Sequence, residues 1–251
     1  MVVERITALQ NPLIRHIRKL QSSRSYRYEC REFVGDGWKL LEEARKWFPQ
    51  ILTVVYTQGL SCPELPRSVR VVEVPESLMQ SLSSMKSPQG VVFTCALPPM
   101  GEVQPVAGAL LLDGIQDPGN LGTILRTADA FQIPVYLTNG CADPYSEKTL
   151  RASMGAVLRS RPMQISMEDC LRLCEEKHIP LAATALTDKA VDLRTLDLRR
   201  YLTVIGSEGQ GICRELLERS HEQVIIPMDS RCESLNAAVA ATIVLWQMKV
   251  T

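Results

Sequence analysis

The chain alternates short apolar runs with stretches of helical periodicity. Leu13, Ile14, Ile17 and Leu20 fall on one face at helical spacing, with bases on the other, which predicts a helix over 11–21. Residues 32–48 (EFVGDGWKLLEEARKWF) predict a short strand, a glycine turn and a helix. The runs ILTVVYT, VRVVEV and VVFTCAL predict three further strands. From Gly108 the alternation repeats at larger scale. GALLLDGI, VYLTN, MQIS, PLAATAL, YLTVIGS and EQVIIPM predict strands. NLGTILRTADAFQI, TLRASMGAVLRS, CLRLCEEKHI, GICRELLERS and SLNAAVAATIVLWQM predict helices. Continuous apolar strands with crossover helices predict an α/β fold with a parallel sheet covered on both faces. The last helix is apolar nearly all round and is expected to be buried on most sides.

Residues 97–105 (LPPMGEVQP) hold three prolines and a glycine, which predicts a linker. The expected organisation is a small α/β domain over 1–98, a linker over 99–105 and a larger α/β domain over 106–251. With 251 residues, 45% of them hydrophobic and 22% charged, the chain is long enough for a real core and unlike a disordered tail. The eight cysteines are scattered without a C-x-x-C pair, so reduced thiols are expected and no metal site. The N-terminus lacks an apolar signal region and no run approaches 18 apolar residues, so no membrane contact and a cytoplasmic location are expected.

Net charge is zero, yet residues 1–98 carry 13 bases against 9 acids. Seven of those bases lie between Arg5 and Arg31, interleaved with Tyr26 and Tyr28. Such a run is either a solvated helix face or a phosphate-contacting surface.

Three segments sit where a parallel sheet presents its ligand site, past the carboxyl ends of strands. They are Asp113 to Gly122, Gly206 to Gly211, and Pro227 onward to Asn236. Each alone reads equally well as a turn or a helix cap, and neither G-x-G-x-x-G nor a Walker loop is present. Together and in order they resemble the SpoU (TrmH-type) branch of the SPOUT RNA methyltransferases. Asn120-Leu121-Gly122-Thr123-Ile124-Leu125-Arg126-Thr127-Ala128 is similar to its first motif. Gly206-Ser207-Glu208-Gly209-Gln210-Gly211 is similar to its second, and Ile226-Pro227-Met228 with Ser234-Leu235-Asn236 to its third. Arg151-Ala152-Ser153-Met154-Gly155-Ala156 matches a further helix of the family. Asn11-Pro12 with the following basic helix, and Phe33-Val34-Gly35-Asp36-Gly37, resemble the attached substrate-binding domain, which usually has Glu in place of Asp36.

The resemblance implies a catalytic domain with a deep trefoil knot behind an L30e-like N-terminal domain. It implies S-adenosyl-L-methionine as cofactor, contacted by Gly206, Gly211, Ile226, Met228 and Leu235. The implied reaction is methyl transfer to a ribose 2′-OH of RNA, ribosomal RNA first, with Arg126, Asn120, Glu208, Ser234 and Asn236 as the catalytic set. Arginine is a poor base, so Arg126 is expected to clamp a phosphate, with Asn120 fixing its loop and Glu208 orienting Arg126 or receiving a proton. RNA contacts are expected from Arg15, Arg18, Lys19, Arg24, Arg27 and Arg151, and a homodimer through the knotted domain. A tRNA target and a non-catalytic knotted protein of ribosome assembly are the alternatives.

Overall fold

The structure, a computed structural model, describes residues 3–48, 50–99, 103–229, 231–232 and 234–250. In chain order its elements begin with β1 (Val3–Arg5), α1 (Pro12–Ser22), α2 (Arg24–Cys30), β2 (Glu32–Asp36), α3 (Trp38–Trp47), β3 (Ile51–Thr57), β4 (Arg70–Val74), α4 (Glu76–Leu82) and β5 (Val91–Ala96). There follow β6 (Ala109–Asp113), α5 (Pro118–Phe131), β7 (Val135–Leu137), α6 (Glu147–Ala152), α7 (Ala156–Ser160), β8 (Met163–Gln164) and α8 (Met167–Glu176). The chain closes with β9 (Leu181–Thr184), β10 (Val191–Asp192), β11 (Leu202–Gly206), α9 (Arg214–Glu218), β12 (Glu222–Ile225) and α10 (Ala237–Val250). It divides into two units, Met1–Pro99 with Tyr145–Arg159, and Met100–Pro144 with Ser160–Thr251.

The first unit is built on a mixed sheet in the order β1-β4-β3-β5-β2. Asn11 caps α1 by accepting from the Leu13 amide at 2.9 Å, and Pro12 occupies the first turn, where its missing N–H costs nothing. The predicted apolar face is the buried one. Ile14, Ile17 and Leu20 pack with Val55, Val72, Leu78, Met79 and Val92. Each such side chain withdraws enough apolar surface to contribute about 1.5–3 kcal/mol. The helix α2 has no apolar period and escapes prediction. Its ends are tied instead: the Ser23 hydroxyl accepts from the Tyr26 amide, and Arg27 donates to the carbonyls of Leu20 (2.6 Å) and Gln21. Tyr26 in turn lies 2.9 Å from His16 Nδ1, whose other nitrogen meets Glu32 at 3.2 Å.

One expectation needs correction here. Residues 149–160 were expected as one helix. They form the short helices α6 and α7 around a turn at which Met154 and Gly155 both have positive φ, 51° and 82°. A side chain on Gly155 would press on Glu43 and Leu40. By contacts, residues 145–159, expected within 106–251, group with the first unit. Tyr145 stacks at 5.0 Å on Phe33, and Arg159 pairs with Glu43, so this segment joins the first unit. Linear reading cannot see this, because the segment's partners lie about a hundred residues upstream.

The second unit has a seven-stranded sheet, β10-β12-β9-β11-β6-β7-β8, in which every pairing is parallel. Leu111, Tyr136, Leu181, Leu202, Val204 and Leu216 form its core with Cys170 and Cys174 of α8. α10 packs on α5 and β11, burying Ala237, Ala238, Ala241, Val244, Leu245 and Met248. One side stays open. Val239, Trp246 and Val250 stand about half exposed along one stripe. Among the described residues, no helix is long and apolar enough to cross a membrane.

The first unit also buries an acidic pair. Asp36 Oδ2 accepts from the Ser83 hydroxyl (2.6 Å) and the Ser84 amide, while Asp36 Oδ1 and Glu147 Oε1 are buried without a hydrogen-bond partner among the described residues. Burial first, and then the Asp36 charge, push Glu147 up to about 6, against the pull of Arg151. Burial also raises Asp36. A carboxyl with a raised folded pKa favours the folded state fully at low pH, and that contribution is lost as pH rises through about 6. Glu147→Gln is therefore expected to raise the melting temperature at pH 8 by roughly 2–5 °C and to leave it nearly unchanged at pH 4.5. Thermal melts at the two pH values measure this, and an equal shift at both would contradict it.

Candidate active site

The carboxyl ends of the parallel strands carry the loops singled out from sequence. Gly206 of β11 is in register with Asp113 of β6, so the turns that follow them leave the sheet side by side. Val224 of β12 is in register with Thr184 of β9, which brings the segments after those strands to the same edge. Asp113 fastens the arrangement: its Oδ2 accepts from the Cys213 amide at 2.8 Å and its Oδ1 from the Thr138 hydroxyl at 3.1 Å. Burial pushes the Cys141 and Cys213 thiols up, so these cysteines stay neutral and are poor nucleophiles.

The turn 207–211 is a tight hairpin in which Ser207 and Gly211 exchange both backbone hydrogen bonds, at 3.0 and 2.9 Å. A Cβ on Gly206 would run into the backbone of Gly211 and Ile212. The glycine is required by the chain's own fold at this point, before any ligand is considered. Gly211 has φ of +69°, the left-handed conformation that closes the hairpin.

Glu208, at the tip, is the junction of the site. Its Oε1 accepts from Asn120 Nδ2 at 2.8 Å, from Asn236 Nδ2 at 2.6 Å and from the Ala237 amide at 3.0 Å. Asn236 also donates to Asn120 Oδ1 at 3.1 Å, and its own Oδ1 accepts from the Ala238 and Val239 amides. Asn236 is thus the cap of α10, and Glu208 completes the capping from outside the helix. Asn120 is held in turn by Asp117, whose Oδ1 accepts the Asn120 amide at 2.7 Å and caps α5. One carboxylate oxygen joins three segments that lie 116 residues apart in sequence at their extremes.

This geometry alters two expectations. Glu208 does not touch Arg126; it is occupied by the two asparagines and a helix N-terminus. Arg126 is exposed on α5 and makes no hydrogen bond or ion pair among the described residues. Asn236, expected to face a ribose, has its amide committed on both ends to protein groups.

A cavity of about 560 Å³ opens between these segments. Gly206, Gly211, Ile226, Met228 and Leu235 all line it, as do Glu208 and Ser234. Asn120, Asn236 and Arg126 do not. Residues Thr184 to Thr187, at the end of β9 and just past it, form a wall that the sequence reading omits. The rule that ligands sit past strand ends applies to β9 as well and could have found them. A second cavity, of about 330 Å³, is lined by Gln116, Asp117 and Asn120 and shares Ser207, Glu208 and Gln210 with the first. Among the described residues no three His, Cys, Asp or Glu side chains converge on a metal position.

The basic residues expected to meet RNA divide. Arg15, Arg18 and Lys19 are exposed along α1, Lys19 with its ammonium 4.0 Å from the centre of the Tyr26 ring. Arg24 is exposed and lies over Tyr28 at 5.7 Å. Arg151 is half exposed, 3.9 Å from Glu147. Arg27 is only 5% exposed and holds the end of α1, so it leaves the set.

Comparison with known proteins bears on the family. Residues 108–246 match the SpoU rRNA Methylase family, and residues 11–92 match the MRM3-like substrate binding domain. The uncharacterized tRNA/rRNA methyltransferase slr1673 of Synechocystis is 34% identical over 97% of this chain and 93% of its own. The 23S rRNA (guanosine(2553)-2′-O)-methyltransferase RlmP of Bacillus subtilis is 26% identical over 98% of this chain and all of its own. The crystal structure of an AdoMet-bound rRNA methyltransferase from Sinorhizobium meliloti superposes with a TM-score of 0.86 at 32% identity, covering 98% of this chain and 97% of that one. The parallel sheet, the loops at its strand ends and the matched residues agree: the chain belongs to the SpoU rRNA methylase family.

Proposed function

We propose that the protein transfers a methyl group from S-adenosyl-L-methionine to a ribose 2′-hydroxyl of ribosomal RNA. The observation that carries the reading is the larger cavity, which gathers all five residues expected at the cofactor. Its volume falls in the range of about 300–1,000 Å³ usual for small-molecule sites. Its apolar walls, Ile226, Met228 and Leu235, suit an adenine face. The backbone amides of these residues make no hydrogen bond among the described residues and suit its polar edge. The cofactor supplies an electrophilic methyl group. The protein must bring an RNA hydroxyl in line with it and hold the surrounding charge.

Arg126 suits the second task. A guanidinium cannot serve as a base at neutral pH, but it binds a phosphate with two parallel hydrogen bonds, and this one is free to do so. Ser234, exposed at the cavity mouth, can hydrogen-bond the ribose. Glu208, Asn120 and Asn236 act as positioning residues that keep the three loops closed around the cavity. A homodimer fits the apolar stripe of Val239, Trp246 and Val250 left on α10, and a partner subunit would then meet the exposed Arg126. A trefoil knot fits the path of the chain. α10 follows β12, one strand from the sheet edge, yet it packs back on α5 and β11 near the middle. The α1–α2 corner, with Arg15, Arg18, Lys19 and Arg24 exposed and Arg151 nearby in the same unit, is the proposed RNA surface. A cytoplasmic location goes with that substrate.

Four outcomes are expected. Mapping of 2′-O-methyl nucleotides in ribosomal and transfer RNA, from cells with and without the gene, should find one ribosomal position lost. Arg126→Ala should fail to restore it while still binding cofactor by calorimetry; restored methylation would remove Arg126 from the catalytic set. Reversing charge at Arg15, Arg18 and Lys19 together should weaken RNA binding about tenfold or more at physiological salt and leave cofactor affinity unchanged, as gel-shift and calorimetric titrations would measure. Glu208→Ala should lower both stability, by about 1–3 kcal/mol, and cofactor affinity. Glu208→Gln, which keeps an acceptor oxygen, should retain most of both and most of the turnover. Abolished turnover in the glutamine variant alone would make Glu208 a proton acceptor instead.

A further inference from the structure

The second cavity has no part in holding the cofactor as described, and its chemistry differs from that of the first. It lies between the turn after β6 and the 207–210 hairpin, and it shares Ser207, Glu208 and Gln210 with the cofactor cavity. Besides Asn120, which is bound to Glu208, two carboxamides line it, Gln116 from one turn and Gln210 from the other. Both are exposed, and neither side chain makes a hydrogen bond among the described residues, although every other polar side chain at this junction is engaged. Asp117 caps α5, Asn120 and Glu208 bind each other, and the Ser207 hydroxyl accepts the Gln210 amide N–H at 3.2 Å. A carboxamide offers a donor beside an acceptor, the pattern that pairs two-fold with the edge of a nucleobase.

We propose that this cavity receives the base of the nucleotide being methylated, and that Gln116 and Gln210 read its hydrogen-bonding edge. The inference rests on the methyltransferase reading above. A volume of about 330 Å³ suits one nucleobase with part of its sugar. Because the two cavities share a wall, a base held here carries its ribose toward the cofactor cavity, past Ser207 and Glu208. Entry requires the nucleotide to leave its stack, so the pocket must repay the unstacking through edge contacts. Gln116 borders only this cavity, whereas Gln210 borders both, which makes Gln116 the cleaner probe.

The test uses the full chain with radiolabelled S-adenosyl-L-methionine and protein-free ribosomal RNA from cells lacking the gene. Gln116→Ala and Gln210→Ala are compared with Gln116→Glu, which keeps size and removes the donor. Both alanine variants are expected to lose about 10- to 100-fold in kcat/KM for RNA, with the cofactor affinity of Gln116→Ala by calorimetry within twofold of wild type. Gln116→Glu is expected to change which nucleotides are methylated when sites are mapped. Variants with wild-type kcat/KM and an unchanged site would overturn the proposal. So would a parallel loss of cofactor affinity in Gln116→Ala, which would mean that the residue merely shapes the loop. Absence of RNA methylation by the wild-type chain would instead overturn the underlying reading, so the two failures are distinguishable.

Discussion

The site depends on one carboxylate oxygen. Glu208 Oε1 takes hydrogen bonds from two asparagine amides and the first amide of α10, and these donors come from the turns after β6 and β12. Each bond between a charged acceptor and a neutral donor contributes about 1.5–3 kcal/mol, and the three share one acceptor. A helix that begins beside the sheet's carboxyl edge presents unsatisfied N–H groups and the positive end of its dipole, and an anion there stabilises both. The same carboxylate thus caps a helix, ties loops together and walls the larger cavity. Residues that resemble a reacting group from sequence act here through geometry.

Much of the fold is legible in the sequence because its strands are apolar throughout and its helices keep a strict face. α1 is the clearest case: every apolar position predicted for it is buried. The parts that escaped have local causes. α2 is held by a capping serine and by Arg27, which has no periodic signature. β1 is a three-residue exposed edge strand secured by Arg5–Glu73 and Arg70–Glu4 pairs. The break between α6 and α7 depends on a glycine placed against Glu43, a long-range fact.

The candidate site was legible to a similar extent. The five residues expected at the cofactor were picked out by motif order, and all of them line one cavity. The roles of the polar residues were not legible, since a string cannot show whether Asn236 faces a ligand or caps its own helix. Charge counting failed in the same way at Arg27. A basic residue in a basic run looks like a phosphate contact until its guanidinium is found buried on two carbonyl oxygens.

The crowding around Gly206 bears on how such sites are dissected. Because the residue is pinned by its own neighbouring hairpin, replacing it would deform the scaffold whether or not anything binds beside it. An alanine there that abolishes function would therefore be uninformative about proximity to a small molecule. Invariance of that glycine among relatives would record a steric demand of the polypeptide on itself.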